Sequence, residues 1–95
     1  MKIGTDYKGN GRCEFVVWAP LLKSVSLKLV SWSERIIPME MADKGYWKVV
    51  ADGVLPGALY LYRLDNKLEM SDPASRFQPE GVHGPSQVID PWVTD

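Results

Sequence analysis

Apolar and polar residues alternate in short runs along most of this chain. In RCEFVVWAP, Cys13, Phe15 and Val17 fall on one side of an extended segment, with Glu14 and Val16 on the other. SVSLKLV alternates more cleanly, with Val25, Leu27 and Leu29 against Ser24, Ser26 and Lys28. A period of two marks a half-buried β-strand, because successive side chains leave opposite faces of the pleat. RIIPMEM is predicted as a further strand, and Pro38 within it, having no amide proton to donate, predicts an edge position. YWKVVA sets Trp47, Val49 and Ala51 on one face. ALYLYRL sets Tyr60, Tyr62 and Leu64 together, with Leu59, Leu61 and Arg63 opposite.

The punctuation agrees with that pattern. ADKG and DGVLPG carry turn residues, and Asp65-Asn66 between ALYLYRL and KLEM fits a two-residue hairpin loop, since both residues tolerate positive φ. SWSE is predicted as a turn, and SQVID as one last strand. The polar, glycine-rich MKIGTDYKGNGR at the start is assigned no strand. No stretch sustains a helical period. Strands separated by turns every ~8–12 residues predict an all-β fold, an immunoglobulin-like β-sandwich of about six to eight antiparallel strands.

The chain has 95 residues, enough for one domain with a modest core and little room for a deep cleft. Eleven basic and twelve acidic side chains are mixed throughout, giving a net charge near −1. Without a basic stripe, nucleic acid is not an expected partner. No apolar run reaches the ~20 residues of a membrane span. The first residues lack the apolar region of a signal peptide, which predicts the cytoplasm. The single cysteine, Cys13, has no internal disulfide partner and is expected to be a small buried hydrophobe.

Catalytic chemistry finds little footing. The only histidine, His83, lies in a Gly-Pro-rich segment without a nucleophile motif around it. One Cys and one His do not furnish a structural metal site, and no glycine-rich loop leads into a helix to cradle a phosphate. No cofactor is expected. The acids mostly occupy turns (Asp43, Asp52, Asp65) or exposed strand positions (Glu14, Glu40). Of the aromatics, Trp47 is expected in the core and Trp18 at its edge. Trp32, in a turn that calls for small polar residues, either folds over the rim, meets another domain, or stacks on a sugar. Tyr60 and Tyr62 either pack in the core with their hydroxyls reaching the rim, or form a stacking pair in which Tyr62 assists Trp32.

FVVWAP, GYWKVV, LPGALYLYRLD and DPASRFQPEGVHGPSQVID occur in this order and together cover nearly all of the chain. In this the chain resembles the N-terminal module of the maltooligosyltrehalose trehalohydrolases, within the α-amylase superfamily. The broader type, a WAP strand followed by GxxYxYR and a DP turn, resembles the N-terminal domains of isoamylases, branching and debranching enzymes. The long DP segment is the specific signal for the trehalohydrolases. The resemblance implies a non-catalytic domain, residues 1–95, whose segment 71–95 closes the sandwich and leads toward a catalytic (β/α) barrel carrying the chemistry. Arg76, Phe77, Val82 and His83 are then expected to pack on that barrel, or else to lie in a surface loop. An isolated domain with such a face exposed is expected to self-associate. The alternative is a stand-alone module binding α-1,4-glucan or maltooligosaccharide. Starch-binding relatives hold sugar with a Trp, a Lys and a second Trp. Trp32 falls near the first, whereas Leu61 stands at the place of the Lys and Leu68 at that of the second Trp.

Overall fold

The structure, a computed structural model, describes residues 3–31, 34–72 and 85–88. Among these residues there are nine strands: β1 (Gly4–Gly9), β2 (Arg12–Trp18), β3 (Val25–Leu29), β4 (Arg35–Pro38), β5 (Glu40–Met41), β6 (Tyr46–Ala51), β7 (Leu59–Leu64), β8 (Leu68–Met70) and β9 (Ser86–Gln87). They form two sheets. The first has the order β1-β2-β6-β5, and the second the order β4-β3-β7-β8, with β9 also pairing with β7. Every pairing is antiparallel. The two sheets bury one face each against the other, the immunoglobulin-like sandwich that the alternation predicts.

The core consists of the inward positions of the four longest central segments. Cys13, Phe15 and Val17 of β2, Val25, Leu27 and Leu29 of β3, Trp47 and Ala51 of β6, and Tyr60 and Tyr62 of β7 are all buried. Phe15 and Tyr60 meet edge to face at 5.0 Å between centroids, and Tyr60 meets Tyr62 in the same way at 5.8 Å. These geometries suit the ring quadrupole and lock the two sheets in lateral position. Cys13 is a buried free thiol.

Two elements differ from the expectation. β1 forms within the polar N-terminal stretch, with Thr5 opposite Phe15 and Tyr7 opposite Cys13. An edge strand needs only backbone pairing and one large inward side chain, here Tyr7, so its composition hides it. RIIPMEM is two strands and not one. β4 pairs with β3 on the second sheet, and β5 pairs with β6 on the first. The chain changes sheet at Met39, which is buried and donates its amide to the Val25 carbonyl at 2.9 Å. Pro38 does lie on an edge strand, opposite Ser26. No helix among the described residues is long and apolar enough to cross a membrane.

The turn at Asp65-Asn66 forms, although Leu64 pairs with Leu68, so the loop holds three residues, 65–67, where two were predicted. Asp65 and Asn66 have positive φ, at 50° and 58°, and the Lys67 amide closes the turn on the Leu64 carbonyl at 2.9 Å. The Asp65 carboxylate also accepts the amides of Lys23 and Ser24 at 2.8 and 2.9 Å, tying the hairpin to the entry of β3. These bonds favour the ionised form, with Ser24 contributing most, and hold its pKa below the ordinary carboxylate value.

Candidate functional site

Three places gather polar or aromatic side chains in a way that exceeds what the core requires. The first surrounds Asp72, the aspartate of the DP motif. Its carboxylate is fully buried at the end of β8 and accepts the Tyr60 hydroxyl at 2.7 Å and, more weakly, the Tyr62 hydroxyl at 3.5 Å. Its amide donates to the Ser86 hydroxyl oxygen at 2.9 Å. Ser86 then starts β9, opposite Tyr60, while Met70 of β8 stands opposite Tyr62. Thus β8 and β9 continue one another along the same side of β7, and the chain leaves and rejoins that line at adjacent points. The Gln87 side-chain amide and the Gly57 and Val88 amides bond across the return, at 3.0, 2.8 and 2.8 Å. Burial, reinforced by the Asp72 charge, pushes the Tyr62 phenol well above its ordinary pKa, so it remains a neutral donor. The arrangement is a joint: it fixes Asp72 and Ser86 to the sandwich.

The second place is the end of β2. The Trp18 indole N–H donates to the Lys44 carbonyl at 3.1 Å, and the Trp47 indole N–H donates to the Ala19 carbonyl at 3.0 Å. The Ala19 amide donates to the Gly45 carbonyl at 2.9 Å. The WAP tripeptide is therefore a clasp on the turn at 43–45. Lys44 and Gly45 take positive φ there, and a Cβ on Gly45 would sit 2.5 Å from Pro20 Cβ. The clasp leaves Trp18 56% exposed, with its ring orientation fixed from one side.

The third place is the outer face of the second sheet. Lys28 Nζ lies 2.9 Å from Glu69 and 3.6 Å from Glu34, and Arg63 Nε lies 3.8 Å from Glu69. The Glu69 carboxylate is the main cause of the raised Lys28 pKa. These charges satisfy one another on a solvated surface.

The residues singled out from sequence are distributed as follows. Tyr62 is fully buried, so of its two expected roles the sugar-stacking one is corrected and the core-packing one is what the structure has: its ring belongs to the core and its hydroxyl to Asp72. Trp32, Arg76, Phe77, Val82 and His83 lie outside the described residues. Leu61 points outward opposite Lys28, and Leu68 is exposed on β8. Both are apolar, where the resemblance implies a Lys and a Trp. Asp72 and Trp18 carried more than sequence reasoning assigned them. For Trp18 the signal was present: if Val17 faces the core, its strand neighbour faces outward.

Comparison with known proteins gives a consistent result. The malto-oligosyltrehalose trehalohydrolase of Saccharolobus solfataricus is 48% identical over 77 residues, a match covering 81% of this chain and 13% of that enzyme. The 1,4-alpha-glucan branching enzyme GlgB of Prochlorococcus marinus is 38% identical over 72 residues, covering 67% of this chain and 10% of the enzyme. Among solved structures, pullulanase type I from Bacillus subtilis, complexed with maltose, superposes with a TM-score of 0.84 at 25% identity, over 100% of this chain and 14% of the pullulanase. The chain thus spans about one-seventh or less of the length of each of these relatives. Residues 2–93 match the family described as carbohydrate-binding module 48, the isoamylase N-terminal domain, and the chain belongs to that family.

Proposed function

We propose that this chain is the non-catalytic N-terminal domain of a cytoplasmic glycoside hydrolase that releases trehalose from maltooligosyltrehalose, and that it supports one end of the catalytic barrel. The observation that carries this reading is the 48% identity to the Saccharolobus trehalohydrolase, ahead of the 38% to the branching enzyme. Hydrolysis of a glycosidic bond uses two carboxyl groups facing each other across the scissile oxygen. The buried Asp72 carboxylate instead accepts the Tyr60 hydroxyl, and the Asp72 amide donates to Ser86, both in holding the fold. The chemistry is assigned to the barrel.

Residues 71–95 are then the closing tail toward that barrel, with Arg76, Phe77, Val82 and His83 at the contact. Aromatic and Arg side chains are enriched at the centres of such interfaces. The bond between the Asp72 amide and the Ser86 hydroxyl supports this role, because it holds both of these residues on the sandwich at one point. The test is to incubate the full-length gene product with maltooligosyltrehalose and measure the products. Free trehalose is expected. Branch transfer or debranching in its place overturns the assignment. Replacing Arg76 and Phe77 by Ala in that protein should lower its thermal midpoint, and an unchanged midpoint and rate remove the contact from the reading.

A further inference from the structure

The turn that joins β1 to β2 is built on Asn10-Gly11, the one Asn-Gly pair in the chain. Gly9 pairs with Arg12, so the loop holds two residues, and both are left-handed, with φ of 56° and 74°. That is a type I′ turn, whose twist matches the twist of the strands it joins. Asn10 is exposed and Gly11 is buried. The Gly11 amide donates to the Tyr7 hydroxyl oxygen at 3.3 Å, and the Gly11 carbonyl accepts the Val54 amide at 2.8 Å. The ladder beside the turn is imperfect: its register shifts between Tyr7 and Gly9. β1 is also an edge strand, paired on one side alone among the described residues.

From this juxtaposition we infer that Asn10 is a site of spontaneous deamidation, and that opening of the β1–β2 hairpin sets its rate. The Gly11 amide nitrogen gives up its proton to hydroxide and attacks Cγ of Asn10. The N–Cγ bond forms, the Cγ–Nδ2 bond breaks, and Nδ2 takes up a proton and leaves as ammonia. Water then opens the five-membered imide at either carbonyl, which leaves aspartate or isoaspartate at position 10. Nothing is oxidised or reduced, and water and hydroxide are the sole co-reactants. Glycine suits the attacking position because it has no Cβ to obstruct its nitrogen. Asn66, the other asparagine, is followed by Lys67, whose side chain does obstruct and whose amide is held by the Leu64 carbonyl at 2.9 Å. Asp52 also precedes a glycine, but its carboxylate, paired with Arg12, is a poorer target for a nucleophile than a neutral amide.

The folded turn opposes ring closure. The imide needs Cβ of Asn10 eclipsed with the Gly11 nitrogen, whereas a ψ of about +30°, that of the first central residue in a type I′ turn, holds the two nearly opposite. Rotation of that peptide would also break the bonds from Gly11 to Tyr7 and Val54. The attack therefore waits for β1 to part from β2, and an irregular edge ladder opens locally more readily than the core does. The isoaspartate product carries its main chain through the former side chain, one carbon longer. A two-residue loop of that length no longer fixes Gly9 opposite Arg12, so the seat of β1 is damaged for good.

The experiment follows the tryptic peptide 9–12 of the chain by chromatography and mass spectrometry, which separate asparagine, aspartate and isoaspartate. The chain is incubated folded and, in parallel, unfolded in guanidinium chloride. Both acids should accumulate at position 10, at least about tenfold more slowly in the folded chain. Hydrogen exchange on the same sample gives the protection of the β1 amides, and the slowing should match it within about threefold. Tyr7→Phe, which keeps the ring and loses the acceptor for the Gly11 amide, should speed conversion about threefold when folded and not at all when unfolded. In Asn10→Gly, which keeps the turn, peptide 9–12 should gain no mass. The purified isoaspartate form should unfold at a lower temperature than the parent. The inference is overturned by no conversion at position 10 in the unfolded chain, by equal rates folded and unfolded, or by a folded Tyr7→Phe rate equal to the parent's. It is also overturned if the slowing is as large as the protection of β6 and β7, the mark of global unfolding, or if Asn66 converts as fast as Asn10 in the folded chain.

Discussion

Asp72 shows what one buried carboxylate does in a domain too small to tolerate waste. Its charge is kept inside because hydroxyl donors meet it, with Tyr60 at 2.7 Å the shortest of the bonds described. Hydrogen bonds to charged groups contribute about 1.5–3 kcal/mol each, and an orphaned buried donor adds its own desolvation cost. Asp72→Ala should therefore cost about 3 kcal/mol or more in urea denaturation. Asp72→Asn, which still offers Tyr60 an acceptor, should cost clearly less. The buried thiol and phenol make a second prediction. Burial pushes Cys13 from its ordinary 9.0 to about 12, and pushes Tyr62 above its ordinary 10.0. Below pH 9 both groups are protonated folded or unfolded and neither makes stability depend on pH. Above that, the unfolded chain loses protons that the folded chain retains, so stability must fall. Denaturation midpoints should hold from about pH 7 to 9 and decline beyond. In Cys13→Ala the onset of the decline should move up toward pH 10, where Tyr62 begins to act; an onset unchanged from the parent would show that Cys13 is not shielded.

At the scale of the element, the clasp and the change of sheet at Met39 decide the architecture. Gly45 combines positive φ with the close approach of Pro20, and backbone and ring atoms there have no room to yield. Gly45→Ala is expected to cost about 3 kcal/mol, through overpacking and a strained φ together. Its thermal midpoint is the measurement, and Gly53→Ala, where only the far end of Arg35 approaches, provides the milder comparison. The interior strands were legible in the sequence because two-sided burial imposes strict alternation, as in Val25-Leu27-Leu29. So was the Asp65-Asn66 turn, whose backbone demands particular residues. β1 was not legible, since an edge strand is specified by its neighbour's free backbone groups more than by its own side chains. The break between β4 and β5 was hidden for another reason. RIIPMEM reads as one extended segment, and only the partner strands decide that its halves join different sheets. For the site, alternation placed Trp18 outside, but the carbonyl that orients its ring comes from a turn 26 residues later.

At the scale of the whole molecule, stability is distributed unevenly over the strand pairs. The central pairs β2–β6 and β3–β7 hold six and five residue pairs, and β1–β2 holds five broken by a register shift, whereas β5–β6 and β7–β9 hold two each. Hydrogen exchange should reflect this: amides of β2, β3, β6 and β7 should exchange only through global unfolding, and those of β5 and β9 through local opening. Uniform protection across all strands would contradict it.

The bond from the Asp72 amide to the Ser86 hydroxyl has a consequence for how such domains diversify. It ties the end of β8 to the start of β9, so both strands keep their register on β7 through bonds of their own. A scaffold joined in this way forms a socket, in which what lies between the two bonded residues is held by its rim.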